Sequence, residues 1–263
     1  MVRVMSVLAI AVTLAACGGG GGGGGSGAGS GPQSSPPPVQ NASPGGIWHG
    51  TLGTGEEVLG LVTESGEFHF ITDSFTQYFG TVTTSGNSAT GQFTGYTYIG
   101  YVFEDGSTRG SGTLTGTLQE RATFTATTSF RTSAGNDVSN SVSLTYDPLY
   151  DRDSSLQTIA GNFRDIATGA IVSVNQNGEA FAQNPATGCV LNGSVSIINA
   201  QYNAYRVEYT YSNCNGENAV LNGLTLRGLA TLDNTSSPEL LIVGAQGLSN
   251  GVGLSVVEIL ERT

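Results

Sequence analysis

The 263-residue chain is 38% hydrophobic and only 11% charged, with a formal net charge of −11. All nine of its basic residues are arginine, and so sparse a positive charge excludes nucleic acid as an expected partner, because phosphates demand a concentrated basic surface. Forty glycines, abundant Ser and Thr and few long helix-forming side chains point to an all-β protein with many turns.

Positions 1–16 carry Arg3, an apolar run from Val4 to Leu14, and then Ala15-Ala16. The run is too short to span a bilayer as a helix, so it reads as a signal peptide. Leu14-Ala15-Ala16-Cys17 resembles a bacterial lipobox. That resemblance implies cleavage before Cys17, diacylglyceryl attachment to its sulfur and acylation of the new amino terminus. Several acyl chains, each contributing about 0.8 kcal/mol per buried methylene, anchor permanently where one chain is marginal. Gly18 after the cysteine is similar to the outer-membrane sorting pattern of enterobacterial lipoproteins, so the first expected partner is the membrane, through a lipid anchor. Periplasmic and surface-facing positions both stay open.

Residues 17–45 continue after Cys17 as eight glycines, then "SGAG" and "SGPQSSPPPVQNASPG", with no charged residue. Such a stretch buries too little surface to offset the entropy of ordering its backbone, so a disordered tether is expected, with a reach of about 30 Å.

The remainder matches itself. Gly46-Ile47-Trp48 aligns with Gly161-Asn162-Phe163, Gly66-Glu67 with Gly178-Glu179, "FGTV" at Phe79 with "NGSV" at Asn192, and "TLTG" at Thr113 with "TLRG" at Thr225. "SNSVSL" at Ser139 aligns with "SNGVGL" at Ser249. Five matches in one order at offsets of 110 to 115 define two units, 46–150 and 157–263, joined by an acidic linker at 151–156.

Within each unit short strands alternate with turn residues. Leu114, Gly116 and Leu118 share one face of "GTLTGTL", and Phe124 and Ala126 share one face of "ATFTAT". In the second unit Leu191, Gly193, Val195 and Ile197 alternate with polar residues, as do Tyr205, Val207, Tyr209 and Tyr211. Counting segments gives about eight strands per unit. That many antiparallel strands in about a hundred residues hide both edges by closing, so two tandem, duplicated up-and-down barrels are preferred over β-sandwiches. Gly46-Ile47-Trp48 is similar to the G-x-W that opens lipocalin barrels, where the tryptophan plugs one end. The plan of lipidated cysteine, polyglycine tether and β-barrels resembles the neisserial surface lipoproteins, including transferrin-binding protein B and factor-H-binding protein.

With Cys17 taken by lipid, export to an oxidising compartment pairs Cys189 with Cys214 across a predicted hairpin turning near Gln201-Tyr202. Strand parity objects. The two positions add to an odd number, so a bulge or an early strand end is required. His49 and His69 have no carboxylate, cysteine or second histidine at zinc-ligand spacing. Asp147, Asp151 and Asp153 are read as a solvated linker rather than a calcium loop, because the D-x-D-x-D-G order is missing. No G-x-S-x-G elbow is present, and an enzymatic rival would hydrolyse glycan or peptide with carboxylates such as Glu56, Glu57 or Glu67.

The sequence therefore predicts a non-enzymatic lipoprotein without cofactor or metal, binding an unknown protein or glycan partner. Trp48 and Tyr202 are the candidate binding residues, the latter for its place at a loop tip. A lipocalin-like carrier of a small apolar ligand is the alternative. Cys17→Ser is expected to move the protein from the membrane to the soluble fraction; unchanged membrane retention on fractionation contradicts the lipobox reading.

Overall fold

The structure, a computed structural model, describes residues 40–98, 100–249 and 252–263. The signal peptide, Cys17 and nearly all of the tether lie outside these residues. The first unit is a closed antiparallel barrel of β1 (Gly46–Leu52), β2 (Glu57–Val62), β3 (Glu67–Thr72), β4 (Gln77–Ser85), β5 (Ser88–Tyr96), β6 (Arg109–Gln119), β7 (Thr123–Thr132) and β8 (Asp137–Asp147). Each strand pairs with the next, and β8 returns to β1 from Ile47↔Asp147 to Leu52↔Val142. The second is built likewise from β9 (Gly161–Asp165), β10 (Ile171–Val174), β11 (Glu179–Gln183), β12 (Val190–Ile197), β13 (Tyr205–Ser212), β14 (Thr225–Asp233), β15 (Leu240–Ser249) and β16 (Val252–Arg262). It closes through Leu260↔Asp165, Glu261↔Arg164 and Arg262↔Phe163.

Four of the five repeat matches fall on equivalent strands eight apart or on the turns before them, whereas the fifth starts within β8 at Ser139 but at the end of β15 at Ser249; one of the four shows why the residue is kept. Gly66 and Gly178 adopt φ +86° and +82° in the turns before β3 and β11. Their carbonyls accept from Val82 N at 2.8 Å and Val195 N at 2.7 Å. A Cβ at Gly66 would lie 2.0 Å from the Val82 carbonyl oxygen, and one at Gly178 2.2 Å from that of Val195. Only glycine offers both the left-handed backbone and the space.

Alternation puts one set of side chains of each strand in the lumen. Trp48 is fully buried, meets Phe124 and Tyr146 edge-on at centroid distances of 6.1 and 5.4 Å, and donates from its indole N–H to the Pro44 carbonyl at 3.2 Å. Phe163 occupies the equivalent position in the second barrel, also fully buried, with the Arg262 guanidinium 4.6 Å from its ring centre. Glycines facing the lumen make room for aromatic rings on neighbouring strands. Gly60 pairs with Phe70, Gly112 with Phe93 and Gly193 with Tyr209; a Cβ at Gly60 would sit 1.9 Å from Phe70 Cδ1. Many glycines that composition assigns to turns thus serve the packing of two narrow cores.

The 151–156 linker is ordered rather than loose. Pro148–Asp151 forms a 3-10 turn, with the Asp147 side chain accepting from Leu149 N, and Leu156–Ile159 forms one helical turn, with Ser155 accepting from Thr158 N. Tyr150, within the 3-10 turn, is buried. The barrels then pack side by side, β14 against β2 and β3 and β16 against β5. Outward-pointing apolar side chains make this seam. Leu229 from β14 joins the hydrophobic cluster of the first barrel, and Leu59, Leu61, Ile71 and Ile242 line the contact.

Candidate functional site

The disulfide Cys189–Cys214 is formed, with Cα atoms 4.0 Å apart. The parity objection is met by an early strand end. The β12–β13 ladder stops at Val190↔Ser212, and Asn213 then takes φ +58°, which turns Cys214 back beneath Cys189. A bridge spanning 25 residues stabilises by roughly 3 kcal/mol in the chain-entropy account. Its place is structural, at one mouth of the second barrel.

Neither aromatic candidate stands free. Trp48 is enclosed as the plug of the first lumen. Tyr202 is half-buried, stacked on Tyr150 at 4.9 Å and 11°, with the Arg121 guanidinium 5.6 Å above its ring. Arg121 also pairs with Asp151, which accepts from the Tyr146 hydroxyl at 2.9 Å. Tyr202 is thereby committed to holding the first barrel to the loop between β12 and β13. The acidic candidates are occupied too: Glu56 accepts from Ser74 Oγ at 2.8 Å, and Glu67 takes a two-point pair from Arg206 across the barrels. Asp147 is spent on its cap and Asp151 on Arg121. Among the described residues no three His, Cys, Asp or Glu side chains come together as a metal site.

His49 is exposed, whereas His69 is buried at the seam. Its ring stacks on Phe79 at 4.1 Å and 8°, and its Nε2 lies 3.0 Å from Gln77 Oε1. Because an amide oxygen only accepts, Nε2 carries the proton. Gln77 Nε2 donates to Ser255 Oγ at 3.0 Å, and Ser255 Oγ donates to the Thr97 carbonyl at 3.4 Å. His69 also fills the space above Gly244, where a Cβ would lie 1.3 Å from its Cε1. The histidine is thus the first link of a polar chain that crosses between barrels. Burial lowers its pKa to about 3 against a partial opposing effect of the Gln77 hydrogen bond.

Each barrel keeps a small opening in its core. That of the first has about 80 Å³ of free volume and is walled by Phe68, Phe70, Tyr78, Phe93 and Phe130, with Phe93 and Phe130 stacked at 5.9 Å. Burial, aided by the charge of Glu56, pushes the Tyr78 phenol up to about 12. That of the second has about 110 Å³ and a mixed lining that includes Asp165, Tyr211 and Glu258.

The outer wall of β4–β8 has a different character. Thr83↔Thr90, Thr90↔Thr115, Thr115↔Thr127 and Thr127↔Ser141 are directly paired, so five exposed hydroxyl residues form one row across five strands. A second row runs Thr81, Gln92, Thr113, Ser129, Ser139 and is also exposed. Pleat geometry spaces such rows about 6.6–6.8 Å apart along the strands and their members about 4.7–4.9 Å apart across them. A shallow groove of about 540 Å³ follows the second row, between Thr81, Gln92, Thr94, Ser111, Thr113 and Ser129. Arg131, at its end, is neutralised by Asp137 at 2.8 Å. These rows are carried by "TLTGTL", "TFTATTS" and "SNSVSLT", where alternation marks the buried face by its apolar residues and gives the hydroxyl face no signal of its own.

No known protein-family model matches the chain, and no curated protein sequence matches it.

The His69 environment gives a signed pH effect. A histidine whose pKa is depressed on folding binds protons in the unfolded chain first, so stability falls as pH drops below about 6.5, by roughly 1.4 kcal/mol per pH unit, until about pH 3. Glu258, raised to about 6, acts oppositely: its contribution is complete below its unfolded value of 4.5 and is lost as pH rises through 6. His69→Phe separates the two. Urea unfolding of this variant is expected to show a constant loss for the unpaired Gln77 and no acid-side histidine slope; the same slope in variant and parent contradicts a neutral, buried His69.

Proposed function

We propose that the protein is a non-enzymatic, lipid-anchored lipoprotein of the cell outer membrane that binds a macromolecular partner, a protein or a glycan, on the outer wall of its first barrel. The observation that carries this reading is the shallow hydroxyl- and amide-lined groove along Thr81, Gln92, Thr94, Ser111, Thr113 and Ser129, whose one charged lining residue, Arg131, is paired with Asp137. Hydroxyl and amide groups at regular spacing offer paired donors and acceptors without the desolvation cost of charges. An extended polar partner can lie across several strands and meet one row after another. Barrel closure supports the same assignment, since it leaves no sheet edge for strand addition and directs recognition to a face. A tether through Cys17 would hold that face away from the membrane with freedom to turn.

The second reading, a carrier of a small apolar ligand, has one observation in its favour: the aromatic wall of the first lumen. Its volume of about 80 Å³ admits a few heavy atoms; the acyl chain of a membrane lipid exceeds it.

Photo-crosslinking in intact cells distinguishes the two. A diazirine side chain at position 115 is expected to give a discrete heavier adduct that the same group at Asn177, on the second barrel, does not give. Equal adducts from both positions, or none together with an apolar molecule that repeatedly co-purifies, contradict the docking face.

A further inference from the structure

We infer that the open end of the second barrel is a binding site for a small organic cation, of the class of a primary ammonium ion. This goes beyond the outer-wall reading and does not depend on it.

One charge sits in an apolar strand. Glu258 lies in "SVVEILER" on β16 and alternates inward between Val256 and Leu260, facing Val243 of β15 in the register. A carboxylate there loses solvation, which must be recovered from its neighbours. Tyr211 donates its hydroxyl to Oε1 at 2.5 Å and Tyr209 reaches the same oxygen at 3.5 Å. Oε2 takes no hydrogen bond from the described residues, and the side chain borders the cavity of about 110 Å³. Since roughly 10–15 Å³ suffices for one water, the space holds a molecule of a few heavy atoms.

Among the described residues, the titratable groups that act on this carboxyl are acidic. Asp165 from β9 raises its pKa through like charge, Tyr209 and Tyr211 approach from β13, and Tyr98, from the loop that follows β5 of the first barrel, lies within the electrostatic reach of both Asp165 and Glu258. Asp165 is itself held in place, accepting from Ala167 N at 2.9 Å and Thr168 Oγ1 at 2.5 Å. Two carboxylates therefore face one small volume, and among the described residues its lining holds no positive side chain. A cation carrying N–H donors would fill Oε2, offset the repulsion between Glu258 and Asp165, and present its short alkyl part to Val172, Ala182 and Leu191 on the same wall. The tyrosine rings add cation–π attraction.

The test is an NMR titration of the tyrosine ring signals in the full-length protein with propylammonium chloride, beside 1-propanol and calcium chloride. Saturable shifts at Tyr209 and Tyr211 are expected with propylammonium, tightening as pH rises from about 5 to about 7 while Glu258 loses its proton, and absent with propanol. Glu258→Gln is expected to weaken binding at least about tenfold. If that variant fails to fold, Asp165→Asn serves instead, with a loss in the same direction. No saturable shift, equal affinity for propanol, preference for calcium over propylammonium, or unchanged affinity in the folded variants overturns the assignment.

Discussion

Everything outside the two lumens depends on a polar chain buried between apolar sheet faces. His69, Gln77 and Ser255 are each within a few per cent of complete burial, and each spends its polar atoms on the next. Apolar contacts such as Leu229 against the first barrel supply attraction but little direction. The hydrogen-bonded chain supplies direction, because sliding one barrel by a residue would strand several buried donors and acceptors at once. Gly244 and Gly253 complete the constraint, since a Cβ at the first would overlap His69 and one at the second would lie 1.9 Å from Tyr96. The exposed Arg206–Glu67 pair at the rim adds little by comparison. Fixed in this way, the seam consumes the outward faces of β2 and β3, leaves the hydroxyl rows of β4–β8 to solvent, and brings the loop bearing Tyr98 toward Asp165 and Glu258.

The two barrels share a plan and differ in what they enclose. Both use a plugging aromatic on the first strand, a glycine before the third, and lumen glycines opposite large rings. In the first barrel the rings close on one another and leave a small pocket walled mostly by apolar side chains. In the second the wider opening is lined by carboxylates and phenols, and its end is fastened by a disulfide. Such divergence inside a duplicated fold leaves the strand scaffold intact while the inward residues change, because inward positions alternate with the outward ones that make the seam.

The strand pattern was legible because parity is unforgiving. Leu114, Gly116 and Leu118, and Tyr205, Val207 and Tyr209, point inward as their alternation requires, and the constant repeat offset marked both units. The Cys189–Cys214 pairing was legible too, together with the irregularity that Asn213 absorbs. The seam was not. "EVLGLV" and "EFHFIT" are apolar at both parities, and a single chain does not say whether an outward Leu or Ile meets solvent or another domain. His69 looked idle for the same reason, its partners lying 8 residues away in Gln77 and, through it, 178 residues further in Ser255. Glu258 was hidden as one acid in an apolar run, where its neighbours in sequence give no hint of the two tyrosines across the lumen. The linker aspartates gave composition without geometry, and only the fold turns Asp147 into a cap and Asp151 into the partner of Arg121.

The central claim is that the seam makes the two barrels one body. Scanning calorimetry of residues 40–263 tests it most directly. The account predicts a single transition whose calorimetric and van't Hoff enthalpies agree, a ratio of about 1. Two resolved transitions, each carrying roughly half of the total enthalpy, would contradict it.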